Sequence, residues 1–195
     1  MNADAVPLFP LSTVLYPGGG LPLRIFERRY LDMIARVMRD DGRFGIVAIR
    51  EGREVGSAAL PAEIGTLARI VDFSQEADGL LGIRVQGEQR FLITASEVRP
   101  DNLLTGSIRV LAEPAPEPLP EDEARLGELL TGLWAELRRS QSDLRLHDAT
   151  WVAYRLAEIL PLRLELKQKI LETPLPADKL ALLSRQVAAW APTEA

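Results

Sequence analysis

Apolar positions change their spacing along the chain, from short runs broken by proline and glycine to helical stripes. Between residues 6 and 30, Pro7, Pro10, Pro17 and Pro22 interrupt two apolar runs, and Gly18, Gly19 and Gly20 separate them. Proline fixes φ and removes a backbone donor, so these runs are expected as edge strands or extended segments, with a sharp turn at the glycines. Over residues 25–40, Phe26, Tyr30, Ile34, Val37 and Met38 follow a 3.6-residue period, and Gly42 is a natural helix stop. Residues 44–49 form a near-continuous apolar strand. Residues 64–73 read as another, with Ile64, Thr66, Ala68 and Ile70 on one face. Residues 80–86 and 90–98 flank Gly87 and Glu88, which predicts a hairpin there, and Asp78-Gly79 predicts a second turn. A run over 103–112 completes five or six strands, expected as a small, strongly bent sheet or an incomplete barrel.

Residues 113–122 alternate proline with acidic side chains, a composition that favours extended, solvated chain. It marks a boundary between a β-rich part over 1–113, a linker over 114–122 and a helical bundle over 123–195. Beyond it, Leu126, Leu129, Leu130, Leu133 and Leu137 make one apolar stripe behind an acidic helix start. Asp148 is placed to cap a second helix through Trp151, Val152, Leu156, Ile159 and Leu160, ended by Pro161. A third helix is expected over 162–172. Pro174 and Pro176 precede a fourth, whose face includes Leu180, Leu183, Val187 and Trp190. Short connections between such helices predict a bundle of three or four.

Composition narrows the chemistry. A length of 195 residues with 47% apolar side chains suffices for a real core. The net charge of −5 disfavours a general nucleic-acid binder. No run approaches a membrane span, and no basic segment with an apolar core opens the chain, so a cytoplasmic location is expected. The absence of cysteine removes disulfides, thiolate metal sites and cysteine nucleophiles. His147 is the only histidine and reads as a surface or boundary residue, and no Gly-x-Ser-x-Gly elbow accompanies it. Phosphate-loop and dinucleotide-binding glycine patterns are missing as well. Of the three lysines, Lys167, Lys169 and Lys179, none shows a sign of burial, and Lys179 lies five residues from Ser184, poor spacing for a Ser-Lys pair. Neither catalysis, a metal nor a cofactor is expected.

The opening segment also carries a resemblance. Leu8-Phe-Pro-Leu11, Val14-Leu-Tyr-Pro-Gly18, Leu21-Pro-Leu-Arg-Ile-Phe-Glu27 and Arg29-Tyr-Leu-Asp-Met33 resemble the start of the N-terminal domain of Lon-type ATP-dependent proteases. Phe44-Gly-Ile-Val-Ala48, Gly65-Thr-Leu-Ala-Arg-Ile70, Gly87-Glu-Gln-Arg-Phe91 and Lys167-Gln-Lys-Ile-Leu-Glu172 resemble later segments of that domain, in order. Thr173-Pro174 departs from the family, which usually has an acidic residue there. The resemblance implies an α+β fold: a small twisted β pseudo-barrel of PUA-like type with one early helix, followed by a C-terminal bundle of three to four helices. It also implies a stand-alone, non-catalytic polypeptide-binding or protein-interaction module, without the ATPase and peptidase domains. Its partners would be unfolded or partner polypeptides, in company with a protease or chaperone system.

Within the opening segment, Phe9, Leu11, Leu15, Leu21, Leu23 and Ile25 read as sheet core. Arg24, Glu27 and Arg28 are charges on a tightly constrained backbone, and they are the candidate polypeptide-binding residues. The simpler reading gives them intramolecular ion pairs and a helix-start carboxylate. Among Trp134, Trp151 and Trp190, any exposed ring would be a candidate anchor for a partner. Two other functions compete. One is a PUA-like RNA binder, because PUA-like folds occur in RNA-modifying proteins, and residues 24–43 hold a slight excess of six arginines over Glu27, Asp32, Asp40 and Asp41; the other is an orphan hydrolase.

Overall fold

Seven strands and five α-helices succeed one another in a computed structural model that describes residues 5–40, 42–54 and 59–190. The first of two compact units, Met1–Ala112, contains β1 (Val6–Leu11), β2 (Gly20–Ile25), α1 (Arg28–Arg39), β3 (Phe44–Glu51), β4 (Leu60–Pro61), β5 (Ile64–Gln75), β6 (Leu81–Val98) and β7 (Leu104–Val110). The sheet runs β1-β7-β6-β5-β3-β4, with β2 on β6. It is antiparallel except where β1 pairs in parallel with β3, which brings the two sides of the sheet together. The result is a pseudo-barrel and not a closed barrel.

The prolines of β1 do not place it at an edge, contrary to expectation. Residues 6–8 pair with β7 and residues 8–11 with β3. Pro7 and Pro10 thus lie where β1 has a neighbour on one side, so a missing N–H costs no bond across a doubly paired position. β2, with Pro22, pairs with β6 alone and is the edge strand that proline predicts.

The expected hairpin at Gly87-Glu88 is also corrected. β6 is one continuous strand of 18 residues, and Gly87 pairs with Ala68 in mid-ladder. Glycine is required there for close approach: a Cβ on Gly87 would lie 2.2 Å from the Tyr16 carbonyl oxygen. The turn from Tyr16 to Gly19 docks at this point, with Gly18 N–H donating to the Gly87 carbonyl and Gly87 N–H to the Gly19 carbonyl, both at 2.8 Å. The Asp78-Gly79 turn is present, with Gly79 at φ +83°.

α1 begins at Arg28 and not at residue 25, because the ladder to β6 holds the backbone extended through Ile25. Its buried face, Tyr30, Met33, Ile34 and Val37, joins Phe9, Phe44, Ile46, Ile83 and Val85 in the main core. Phe9 and Tyr30 stack with ring centroids 4.0 Å apart. A smaller cluster forms around Phe91, and Gly45 and Gly65 leave the space its ring occupies.

The second unit, Glu113–Ala195, holds α2 (Ala124–Glu136), α3 (Ala149–Ile159), α4 (Leu164–Glu172) and α5 (Pro176–Trp190). Asp148 caps α3, its carboxylate accepting the Trp151 N–H at 3.0 Å. Pro176 occupies the first position of α5, where its missing donor is harmless. The chain before α2 runs along this unit: the Glu117 carbonyl accepts the Ala149 N–H at 2.8 Å. Trp134 and Trp151 pack at 5.3 Å, whereas Trp190 is 45% exposed. Lys179 contradicts the sequence reading, being fully buried. Its ammonium donates to the Thr173 and Pro174 carbonyls at the end of α4 and lies 5.3 Å from the Tyr154 ring centroid. The lysine thus serves as an internal clamp on the α4–α5 connection, at the residues that depart from the Lon pattern.

Candidate functional site

β5 outruns its neighbour. β3 pairs with it over Ile46↔Thr66, Gly45↔Leu67 and Phe44↔Ala68, and the ladder ends there. β5 continues to Gln75 with β6 on one side, and among the described residues no strand pairs with its other side after Ala68. A bulge at Val71 sets the register of this half: Ile70 faces Val85, and Asp72 faces Arg84. The turn then closes with Glu76 N–H donating to the Leu80 carbonyl at 2.8 Å. Glu76 therefore points its backbone toward β6, and by the two-residue alternation of a strand Gln75 and Phe73 point theirs outward. In agreement, the Phe73 N–H is taken by the carboxylate of Asp72 at 2.9 Å, off the ladder.

This free half-strand carries large apolar side chains. Phe73 is 63% exposed and Val71 43%; Met38, from the last turn of α1, is 45% exposed. Three concavities meet at Phe73. One of about 270 Å³ lies between the end of α1 (Val37, Met38) and Ile70, Val71 and Phe73. A second, of about 300 Å³, crosses the outer sheet face between Arg24, Ser74, Glu76, Gly82 and Arg84. A third, of about 400 Å³, follows Phe73, Gln75, Gly79, Leu80 and Leu81 toward the hairpin tip. Phe26, one residue past the Ile25↔Leu81 pair, is also exposed. Such a site offers hydrophobic contact and main-chain hydrogen bonding; within its lining the exposed Ser74 hydroxyl donates to the Glu76 carboxylate at 3.3 Å.

The three charged residues singled out from the sequence are not brought together. Arg24 lines the groove on the outer sheet face and forms an ion pair with Asp78 at the hairpin tip. Arg28 is exposed and pairs with Asp32 one turn along α1, at 3.0 Å. Glu27 turns inward to the buried Arg29 at 3.0 Å, and Arg29 also donates to the Asn102 carbonyl at 2.8 Å. Beside this pair, burial raises the Tyr30 hydroxyl pKa to about 12 against the pull of Arg29. Arg43 joins Glu88. Much of the arginine charge of residues 24–43 is thus matched locally by carboxylates, and Asp41 lies outside the described residues. His147 is exposed, and the described residues contain no group of three or more His, Asp or Glu side chains placed to hold a metal. No helix among them is long and apolar enough to cross a membrane.

The Val71–Phe73 ridge escaped the sequence reading, which assigned 64–73 a single buried face. One signal existed: the strand expected at 64–73 is longer than the strand expected before it at 44–49. Length alone implied that part of it would lack a neighbour.

Comparison with known proteins agrees with the fold. The crystal structure of a Lon N-terminal domain protein from Xanthomonas campestris superposes with a TM-score of 0.78 at 34% identity, covering 96% of this chain and 99% of that one. The N-terminal domain of Mycobacterium avium complex Lon protease shares the fold at a TM-score of 0.65 and 21% identity, covering 92% of this chain and 95% of that one. Lon protease 2 of Myxococcus xanthus is 33% identical over 92 residues, which are 46% of this chain and 11% of that protein. The chain matches between about a tenth and a quarter of the length of its first curated relatives. The family model described as the ATP-dependent protease La (LON) substrate-binding domain matches residues 5–188. The chain therefore belongs to the Lon substrate-binding domain family.

Proposed function

We propose that this chain is a non-catalytic cytoplasmic module that binds unfolded or extended polypeptide for a protease or chaperone system, with the Phe73 ridge as its contact surface. The observation that carries this reading is the exposed apolar edge of β5 between two grooves, a surface of the kind that marks protein interaction sites. The substrate-binding description of the matching family supports it. In this reading Arg24 and its partner Asp78 form a charged rim beside the apolar contact. Glu27 holds the start of α1 through Arg29, and Arg28 lies on the flank. The local pairing of the arginines weighs against an RNA groove.

The test is binding of a permanently unfolded polypeptide, such as reduced and carboxymethylated α-lactalbumin, followed by fluorescence anisotropy. Burying a phenylalanine is worth ~1.5–3 kcal/mol, so Phe73→Asp is expected to weaken binding by about tenfold or more. Trp190→Asp, on the second unit, is expected to leave it unchanged. Equal binding by the parent chain and Phe73→Asp would contradict the assignment.

A further inference from the structure

We propose that the polypeptide is taken up as an added β-strand along the outer edge of β5, over residues 70–75. The inference rests on the polypeptide-binding reading and specifies its chemistry. A strand edge presents main-chain donors and acceptors in a row, and the occupant that satisfies such a row is another extended backbone. Phe73 and Gln75 direct their N–H and carbonyl groups outward, as the Asp72–Phe73 and Glu76–Leu80 hydrogen bonds establish. The lane beside them is the one β3 occupies further along, where it pairs with residues 66–68.

Natural sheets blunt free edges with lysine, proline, bulges or a covering element. This edge has the Val71 bulge and one side-chain cap, the Asp72 carboxylate on the Phe73 N–H. No proline or lysine occurs between residues 69 and 75. Asp72 is exposed and can swing away, so its hydrogen bond is replaced by a carbonyl of the incoming strand. Alternate side chains of that strand fall on opposite faces of the sheet. One set meets the apolar concavity between Met38, Val71 and Phe73, and the other meets solvent or the charged outer face. The edge therefore selects an extended segment that alternates apolar with small polar residues and lacks proline. A length of about six residues matches the free edge.

The experiment uses the full chain and a fluorescein-labelled decapeptide of alternating valine and serine with a lysine at each end. Two further peptides carry N-methyl groups on all valines or on all serines. In an added strand only one of these sets directs its N–H groups at β5. One methylated peptide is expected to bind at least tenfold more weakly than the parent peptide and the other within about threefold. Amide exchange at Phe73 and Gln75 is expected to slow at least tenfold with the parent peptide bound. Equal binding of all three peptides, or unchanged exchange at both residues, would overturn strand addition while leaving a side-chain-only polypeptide site in place. Failure of every peptide, together with failure of the carboxymethylated polypeptide, would overturn both the mode and the function. Failure of the peptides alone would overturn the mode.

Discussion

Glu158 shows burial and charge acting against each other on one side chain. Its carboxylate lies 3.0 Å from Arg155, yet burial outweighs the attraction of Arg155, Arg139 and Lys167 and pushes its pKa from 4.5 to about 7. Burial of the Lys167 ammonium itself lowers its pKa, against the attraction of Glu158. Between about pH 4.5 and 7 the folded chain keeps a proton that the unfolded chain has released. Stability is therefore full below this window, falls as pH rises through it, and stays reduced above it. At ~1.4 kcal/mol per unit the upper bound is about 3 kcal/mol. The stability difference between the parent and Glu158→Gln, from urea unfolding, is expected to change across pH 4.5–7 and to be flat from pH 7.5 to 9. A difference constant from pH 4.5 to 9 would contradict the assignment. Asp148 is a simpler case: Asp148→Ala removes the α3 cap and is expected to cost ~1 kcal/mol in the same measurement.

At the scale of elements, glycines separate what is local from what is not. Gly79 has φ +83° and open space around its Cβ position, so Gly79→Ala is expected to cost ~1–2 kcal/mol from backbone strain alone. Gly87 faces the Tyr16 carbonyl at 2.2 Å from a Cβ, so Gly87→Ala must displace the turn before β2 and is expected to cost more than Gly79→Ala in thermal melts. The reverse order would contradict the close approach of the Tyr16 carbonyl as the reason for glycine at 87. This difference explains which parts of the fold were legible. The period of Tyr30, Ile34 and Val37, the cap at Asp148 and the stop at Pro161 are local signals, and each lies where local physics puts it. Gly87-Glu88 resembles a turn in isolation, because the atom that demands a glycine is 71 residues earlier in the chain. Lys179 differs in part: its Thr173 and Pro174 partners are only six and five residues away, but the Tyr154 ring beside its ammonium comes from α3, 25 residues earlier. At the candidate site the charges Arg24, Glu27 and Arg28 were visible as anomalies. The apolar ridge was not, since exposure at Phe73 follows from where β3 stops.

At the scale of the whole molecule, apolar exposure occurs in both units, at Phe73, Val71 and Met38 in the first and at Leu175 and Trp190 in the second. What distinguishes the first is an apolar group on an open backbone edge, where hydrophobic contact and main-chain hydrogen bonds act on the same ligand. A footprint of amide hydrogen exchange across the chain, with and without reduced carboxymethylated α-lactalbumin, tests this most directly. Slowed exchange is expected along residues 69–75 and at the end of α1, with α2 to α5 unchanged. Protection confined to the helices around Leu175 and Trp190, with β5 exchanging as in the free chain, would contradict it.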